Sequence, residues 1–253
     1  MELVRALHAE RLKLKRTLAF LLAPVAPLVI VALQLAVVLD SADLMRQNLP
    51  ADPWSAYAGQ VVFLWTMLML PLFVTLETAL LANLEHANGQ WKHLFALPVS
   101  RGAVYAAKQV AALVLIGISM ATLYIYLVGS GLVLRVVVPG LGLEAPVPWL
   151  PLLRYVVLAF VACWLILAIH TWVALRWHSF VVASTVGIIA MVVAVFIFRS
   201  DTWNAWYPWT LPGLVTNRLE DNVLLWRELL FGGLGGIVFA LLGGWDVTRR
   251  DVV

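Results

Sequence analysis

The sequence predicts an all-α polytopic membrane protein, with six transmembrane helices behind an N-terminal amphipathic interfacial helix. Three observations predict it. Of 253 residues, 63% are hydrophobic and 12% charged, where soluble domains carry roughly 45–50% apolar and about 25% charged residues. Too few charges remain to clothe a soluble surface. Six apolar runs each reach the roughly 17–25 residues that cross a hydrocarbon core of about 30 Å. Lys and Arg are also shared unequally between the segments that join those runs.

Residues 1–17 form the interfacial helix. At about 100° per residue, Leu3, Leu7, Leu14 and Leu18 fall on one narrow arc; Arg5, Lys13 and Arg16 lie away from it, and Arg11 intrudes. Such a helix lies flat on the cytoplasmic face with its basic side toward anionic head groups. Read more plainly, it is a positive flank that orients the first span. No cleavable signal peptide is apparent, since the apolar run behind it is long enough to span. The spans fall near 18–39, 58–84, 104–128, 155–175, 180–198 and 229–245. Pro24 and Pro27 predict a kink in the first and Pro71 in the second, tolerable where neighbouring helices satisfy the freed carbonyls.

Between the second and third spans lies the most informative polar break, a cytoplasmic loop over residues 85–103. Gly89 is a stop signal, Leu97-Pro98 ends the short helix predicted from Gln90, and Ser100 can cap the helix that follows. A short element anchored by spans at both ends is suited to transmitting a push. The other inner turn, Arg176-Trp177-His178-Ser179, forces the fourth and fifth spans to be antiparallel neighbours. The outer connections are longer. Residues 40–57 are polar, 129–154 are rich in Gly and Pro, and 201–228 carry Trp203, Trp206, Tyr207, Trp209 and Trp226. Clustered Trp and Tyr fit the head-group level, so that last loop is expected to be partly re-entrant at the outer interface. With the N-terminus inside, eleven Lys and Arg residues fall on inner segments and six on outer ones, which places both termini in the cytoplasm.

No catalytic residue, metal site or nucleic-acid surface is read from the chain. The histidines His8, His86, His93, His170 and His178 lack a metal-ligand spacing, and His170 reads as a packing residue. Cys163, the single cysteine, lies in an apolar run and reads as a small buried or lipid-facing residue, not a reactive thiol. There is no phosphate-binding GxxxxGK[ST] and no dinucleotide GxGxxG after a strand, so any ATP is bound elsewhere. Glu77 is the one acid in the core of a predicted span. A carboxylate there costs several kcal/mol unless paired, protonated or facing water. It reads equally as a polar contact in a pathway or as a hydrogen-bonded structural group. In the last span Gly232, Gly236, Ala240 and Gly244 recur at steps of four, a small-residue face for close helix approach.

The loop Glu85-His86-Ala87-Asn88-Gly89-Gln90-Trp91-Lys92, then Leu97-Pro98-Val99-Ser100-Arg101, Tyr105 and Lys108, resembles the cytoplasmic loop of type-2 ABC exporter permeases. It is most similar to the membrane subunits of lantibiotic-immunity and bacitracin-resistance exporters. The basic amphipathic leader, the six spans, Tyr207-Pro208-Trp209-Thr210-Leu211-Pro212 and the Arg249-Arg250-Asp251 tail share that likeness.

The resemblance implies a bacterial cytoplasmic-membrane permease, paired with an identical or related second permease subunit and bound to two ABC ATPase subunits. ATP and Mg would sit on the ATPase, and this chain would carry no cofactor. In such a permease Trp91, Leu94, Phe95 and Leu97 anchor the loop in the ATPase, Glu85, Lys92 and Arg101 set its register, and Gly89 and Pro98 shape its turns. The cargo theme of the family is an antimicrobial peptide or another amphipathic hydrophobic compound, moved outward. Two alternatives stay open: an ABC importer permease, echoed by Glu85, Ala87, Gly89 and Leu97-Pro98, and an ion-coupled secondary transporter using Glu77.

Overall fold

The computed structural model describes residues 2–15, 17–86, 99–177, 179–219 and 226–249, with the backbone alone at 85 and 86. Of the described residues 85% are helical, and none lies in a strand. Six helices are long and apolar enough to cross a membrane: Leu18–Asp40, Pro53–Leu84, Arg101–Val137, Trp149–Arg176, Phe180–Ile197 and Trp226–Arg249.

Helix α1 spans Glu2–Leu14 and α2 spans Leu18–Asp40. Between them Thr17 adopts an extended conformation, and its hydroxyl accepts the Phe20 N–H at 3.3 Å, a side-chain N-cap. The prolines Pro24 and Pro27 lie inside α2, which continues through both. A short α3, Ala42–Gln47, follows. Asp52 then caps α4 (Pro53–Leu64) by accepting the Ser55 N–H at 3.1 Å, with Pro53 in the first turn, where its missing N–H costs nothing. The second span continues through a π-helical turn, Trp65–Met69, into α5, Leu70–His86. Pro71 stands just beyond that turn, so the distortion expected of proline takes the form of a widened turn. From within that turn the hydroxyl of Thr66 donates back to the α4 carbonyls of Val62 (2.8 Å) and Phe63 (3.1 Å).

Helix α6, Arg101–Val137, has 37 residues and is about 55 Å long. It runs past the predicted end of the third span and takes in Val136 and Val137, expected in the outer loop. No breaker stands between Val128 and Pro139, because glycine inside an apolar helix need not stop it. The turn comes at Gly140 and Gly142, both at positive φ (87° and 77°), where L side chains are strained. The fourth span is α7 (Trp149–Ala162) and α8 (Trp164–Arg176), parted at Cys163 alone. Cys163 is buried, as its apolar surroundings predict. Ser179 caps α9, Phe180–Ile197. A 3-10 turn, Pro208–Thr210, leads into α10, Leu211–Leu219, and α11 spans Trp226–Arg249.

The most extensive packing joins α11 to α8 and α2 to α6, with α5 against α8 and α9. The main core is built from Ile30, Trp65, Leu70, Leu115, Leu123 and Ile166, all nearly or fully buried. Large apolar side chains on α2, α9 and α11, such as Leu21, Ile189 and Leu241, remain exposed; hydrocarbon is their natural solvent. Two elements depart from expectation. Residues 211–219 form a helix buried on most of its surface, packed on α7 and α4, so this part of the loop enters the bundle. And α1 follows α6 in the same direction, its pairs to Ser100 and Lys108 both spanning 98 residues. A helix lying flat across upright spans would meet α6 at one point. The buried stripe of α1 is Ala6, Glu10 and Leu14; it meets the leucine arc at Leu14 and is rotated to one side of it, toward Glu10 and its charged partner.

Candidate coupling site

The N-terminal helix, the second span and the third converge on Lys108. This residue is 1% exposed, and its ammonium donates to Glu10 Oε2 at 3.2 Å, Glu10 Oε1 at 3.4 Å and the carbonyl of Leu81 at 3.3 Å. Lys13 adds a second cation on Glu10, at 3.0 Å. A buried charge is tolerable when its hydrogen-bonding capacity is filled, and here the acceptors come from two other helices, α1 and α5. About two turns below, the Ser100 N–H donates to Glu2 Oε2 at 3.1 Å. Ser100 occupies the N-cap position of α6 in extended conformation, but its hydroxyl makes no cap bond. The Ser100 hydroxyl and N–H together hold the Glu2 carboxyl below the usual carboxylate range.

These contacts fix the two ends of the loop whose sequence drew attention. Gly89, Trp91, Lys92, Leu94, Phe95, Leu97 and Pro98 lie outside the described residues, as does the side chain of Glu85. Arg101 is the first residue of α6 and half-buried. The loop is therefore mounted at both ends: α5 ends at His86, α6 starts at Arg101, and α1 clamps the latter to the former through Lys108.

Deeper in the bundle, Glu77 is completely buried, and both its carboxylate oxygens lack a hydrogen-bond partner among the described residues. Its neighbours on α5 cannot serve it, because the Thr75 and Thr78 hydroxyls donate to the carbonyls of Pro71 (2.8 Å) and Val74 (2.9 Å). Trp65 Nε1 in the π-turn and Ser119 Oγ on α6 are also buried without partners. His170, by contrast, is satisfied. Trp209 Nε1 donates to its Nε2 at 3.2 Å, with the rings edge-to-face at 5.6 Å. Indole nitrogen can only donate, so Nε2 is the accepting nitrogen. Tyr207 donates to the carbonyl of Ala190 at 2.9 Å, and Thr216 on α10 meets Thr66 of the π-turn at 3.3 Å. The aromatic loop is thus bolted into the middle of α8 and α9. No group of three or more potential metal ligands occurs among the described residues.

On α11, a Cβ at Gly232 would stand 2.5 Å from the Ala162 carbonyl oxygen, and one at Gly236 would stand 2.6 Å from the Trp164 carbonyl carbon. Both glycines press on backbone at the α7–α8 junction. Ala240 is half-buried, and a Cβ at Gly244 would stand 3.3 Å from the Tyr105 ring.

Sequence reasoning missed Glu10. The signal available was an i, i+4, i+8 row of Ala6, Glu10 and Leu14, with an acid in an otherwise basic leader; the partner, 98 residues away, left no local trace.

A family comparison decides what kind of molecule this is: the description "ABC-2 family transporter protein" matches residues 6–197. The chain belongs to the ABC-2 transporter family. The matched region runs from within α1 to the end of α9 and includes the Lys108 knot and the loop beyond α5. Comparison with curated proteins and with solved structures gives no match. As an ABC-2 permease the chain is a membrane-embedded transport subunit, not itself catalytic, and the family implies an ABC ATPase partner.

Proposed function

We propose that this ABC-2 permease is the membrane subunit of an exporter, and that residues 85–103 dock on a separate ATPase dimer that binds the ATP and Mg. The observation that carries the reading is the Lys108 knot. It makes α1, α5 and α6 one body at the root of the loop, so a displacement of the loop moves the second and third spans together. Trp91, Leu94, Phe95 and Leu97 supply the apolar anchor, and Glu85, Lys92 and Arg101 the rim charges.

ATP binding closes the ATPase dimer, and the attached membrane halves shift population between tilts. The halves are this chain and an identical or related second permease. Both termini face the cytoplasm of a bacterium, as the basic residues ask. The cargo is an antimicrobial peptide or a similar amphipathic compound, in keeping with the resemblance to lantibiotic-immunity and bacitracin-resistance exporters.

The test is Trp91→Ala with Leu94→Ala. Insertion is expected to be intact and co-purification of the ATPase lost, since truncating two anchors removes at least about 2 kcal/mol each. Retained association refutes the docking assignment. In proteoliposomes, ATPase activity stimulated by peptide supports export. Transport without nucleotide, driven by an ion gradient and lost in Glu77→Gln, would favour the secondary-transporter reading instead.

A further inference from the structure

We propose that the cleft between α1, α2 and α6 binds one anionic phospholipid, with Arg11 and Lys15 on its phosphate and Phe20, Val110, Val114 and Ile118 against its acyl chains. The cleft has a volume of about 690 Å³, within the range of roughly 300–1,000 Å³ of small-molecule sites. Its charge is set by what Glu10 leaves over. That carboxylate is taken by Lys13 and Lys108, whereas Arg11 and Lys15 are exposed and have no ion pair among the described residues. Two free cations on one rim call for an anion.

Below the rim the lining is apolar. Because α1 and α6 run parallel at a 98-residue offset, Val110 stands beside Arg11, and the apolar wall continues through Val114 to Ile118, about 7.5 Å past the level of Lys15. Phe20, Val110 and Val114 are exposed on helices that cross the membrane, so the cleft opens sideways into hydrocarbon and not into water. Lys15 lies at the turn where α1 passes into the first span, which is head-group level. A phosphate at the rim with chains running along α6 satisfies both halves of the site at once. Glu10 also lines the cleft, so a lipid there lies beside the ion pair that holds α1 to α6.

The test uses the full chain reconstituted in nanodiscs of mixed phosphatidylglycerol and phosphatidylethanolamine, with retained lipid counted by native mass spectrometry. The wild type is expected to retain phosphatidylglycerol in preference to phosphatidylethanolamine. Arg11→Gln with Lys15→Gln should weaken that retention about five-fold per basic residue, so roughly twenty-five-fold for both. Val114→Trp should displace the lipid by filling the cleft. Arg5→Gln, on the same helix but outside the cleft, should change nothing. Equal retention of the two lipids, or an equal loss in Arg5→Gln, would overturn the site in favour of diffuse attraction. A change of oligomeric mass in Val114→Trp with lipid retention unchanged would assign the cleft to a second copy and also overturn it. Should the double variant not fold, Arg11→Gln alone must show the loss, and salt must weaken wild-type retention.

Discussion

Lys108 and Glu10 show how a single pair can matter more than a whole amphipathic arc. Removing one partner of a buried ion pair strands the other charge, at a cost of about 3–5 kcal/mol, whereas replacing both by apolar groups is often neutral or better. Lys108→Met is therefore expected to destabilise the protein by about 3 kcal/mol, the low end because Lys13 still meets Glu10. Lys108→Met with Glu10→Leu should recover most of that loss. Thermal unfolding in detergent, followed by size-exclusion fluorescence, measures both. If the double variant is no better than the single, the pair is not what holds α1.

The glycines give a second residue-scale contrast. At Gly236 a methyl group meets the backbone of Trp164 and Leu165, which cannot rotate away. Gly236→Ala should cost about 1–3 kcal/mol by forcing α8 and α11 apart. At Gly129 a Cβ meets nothing within 4 Å, so Gly129→Ala should be neutral or stabilising by up to about 1 kcal/mol. The same unfolding assay separates the two.

At the scale of elements, α1 and the aromatic loop are held by polar contacts that pH and mutation reach differently. Glu2, a surface group, has its carboxyl held below the ordinary value of 4.5 by Ser100. A depressed folded value means that the contact stabilises docking fully above pH 4.5 and loses that contribution as pH falls through the lower folded value. A fluorophore at Val4, which is well exposed, should report α1 docked at neutral pH and loosened in acid. Glu2→Gln should flatten the response. In the loop, Trp209→Phe keeps the ring but removes the donor to a buried imidazole, and should cost about 1–3 kcal/mol and loosen α10 in hydrogen exchange.

The sequence made some of these elements legible and hid others for one physical reason. In a bilayer the lipid-facing and helix-facing sides of a span are both apolar. Hydropathy therefore locates the six spans but does not say which face is buried. The row Gly232–Gly236 could be read because small size is a signal separate from polarity. The descent of Trp209 onto His170 could not, since it depends on a partner 39 residues away, and Pro71 announced a distortion without saying that it would be a π-turn at Trp65–Met69.

At the scale of the whole molecule, contacts alone sort the chain into two ends before any membrane is drawn. At one end Glu2 meets Ser100, and Trp172 Nε1 donates to Asp246 at 3.0 Å. At the other, Arg46 donates to the Pro139 carbonyl at 3.2 Å, Trp54 donates to that of Ala145 at 3.2 Å, and Arg227 stacks on Trp206 at 5.3 Å. Every span runs from one group to the other, so α1 and the end of α11 share a side whichever side that is. The basic leader argues that it is the cytoplasm. Cysteines placed one at a time at Val4, Asp43, Glu144 and Trp177 test this in intact cells with an impermeant maleimide. Cys163 is fully buried and gives no background. Positions 43 and 144 should label from outside, and positions 4 and 177 after permeabilisation alone. The reverse pattern would invert the molecule and remove the loop at 85–103 from any cytoplasmic ATPase. A mixed pattern, with 4 and 177 on opposite sides, would contradict the six-span arrangement itself.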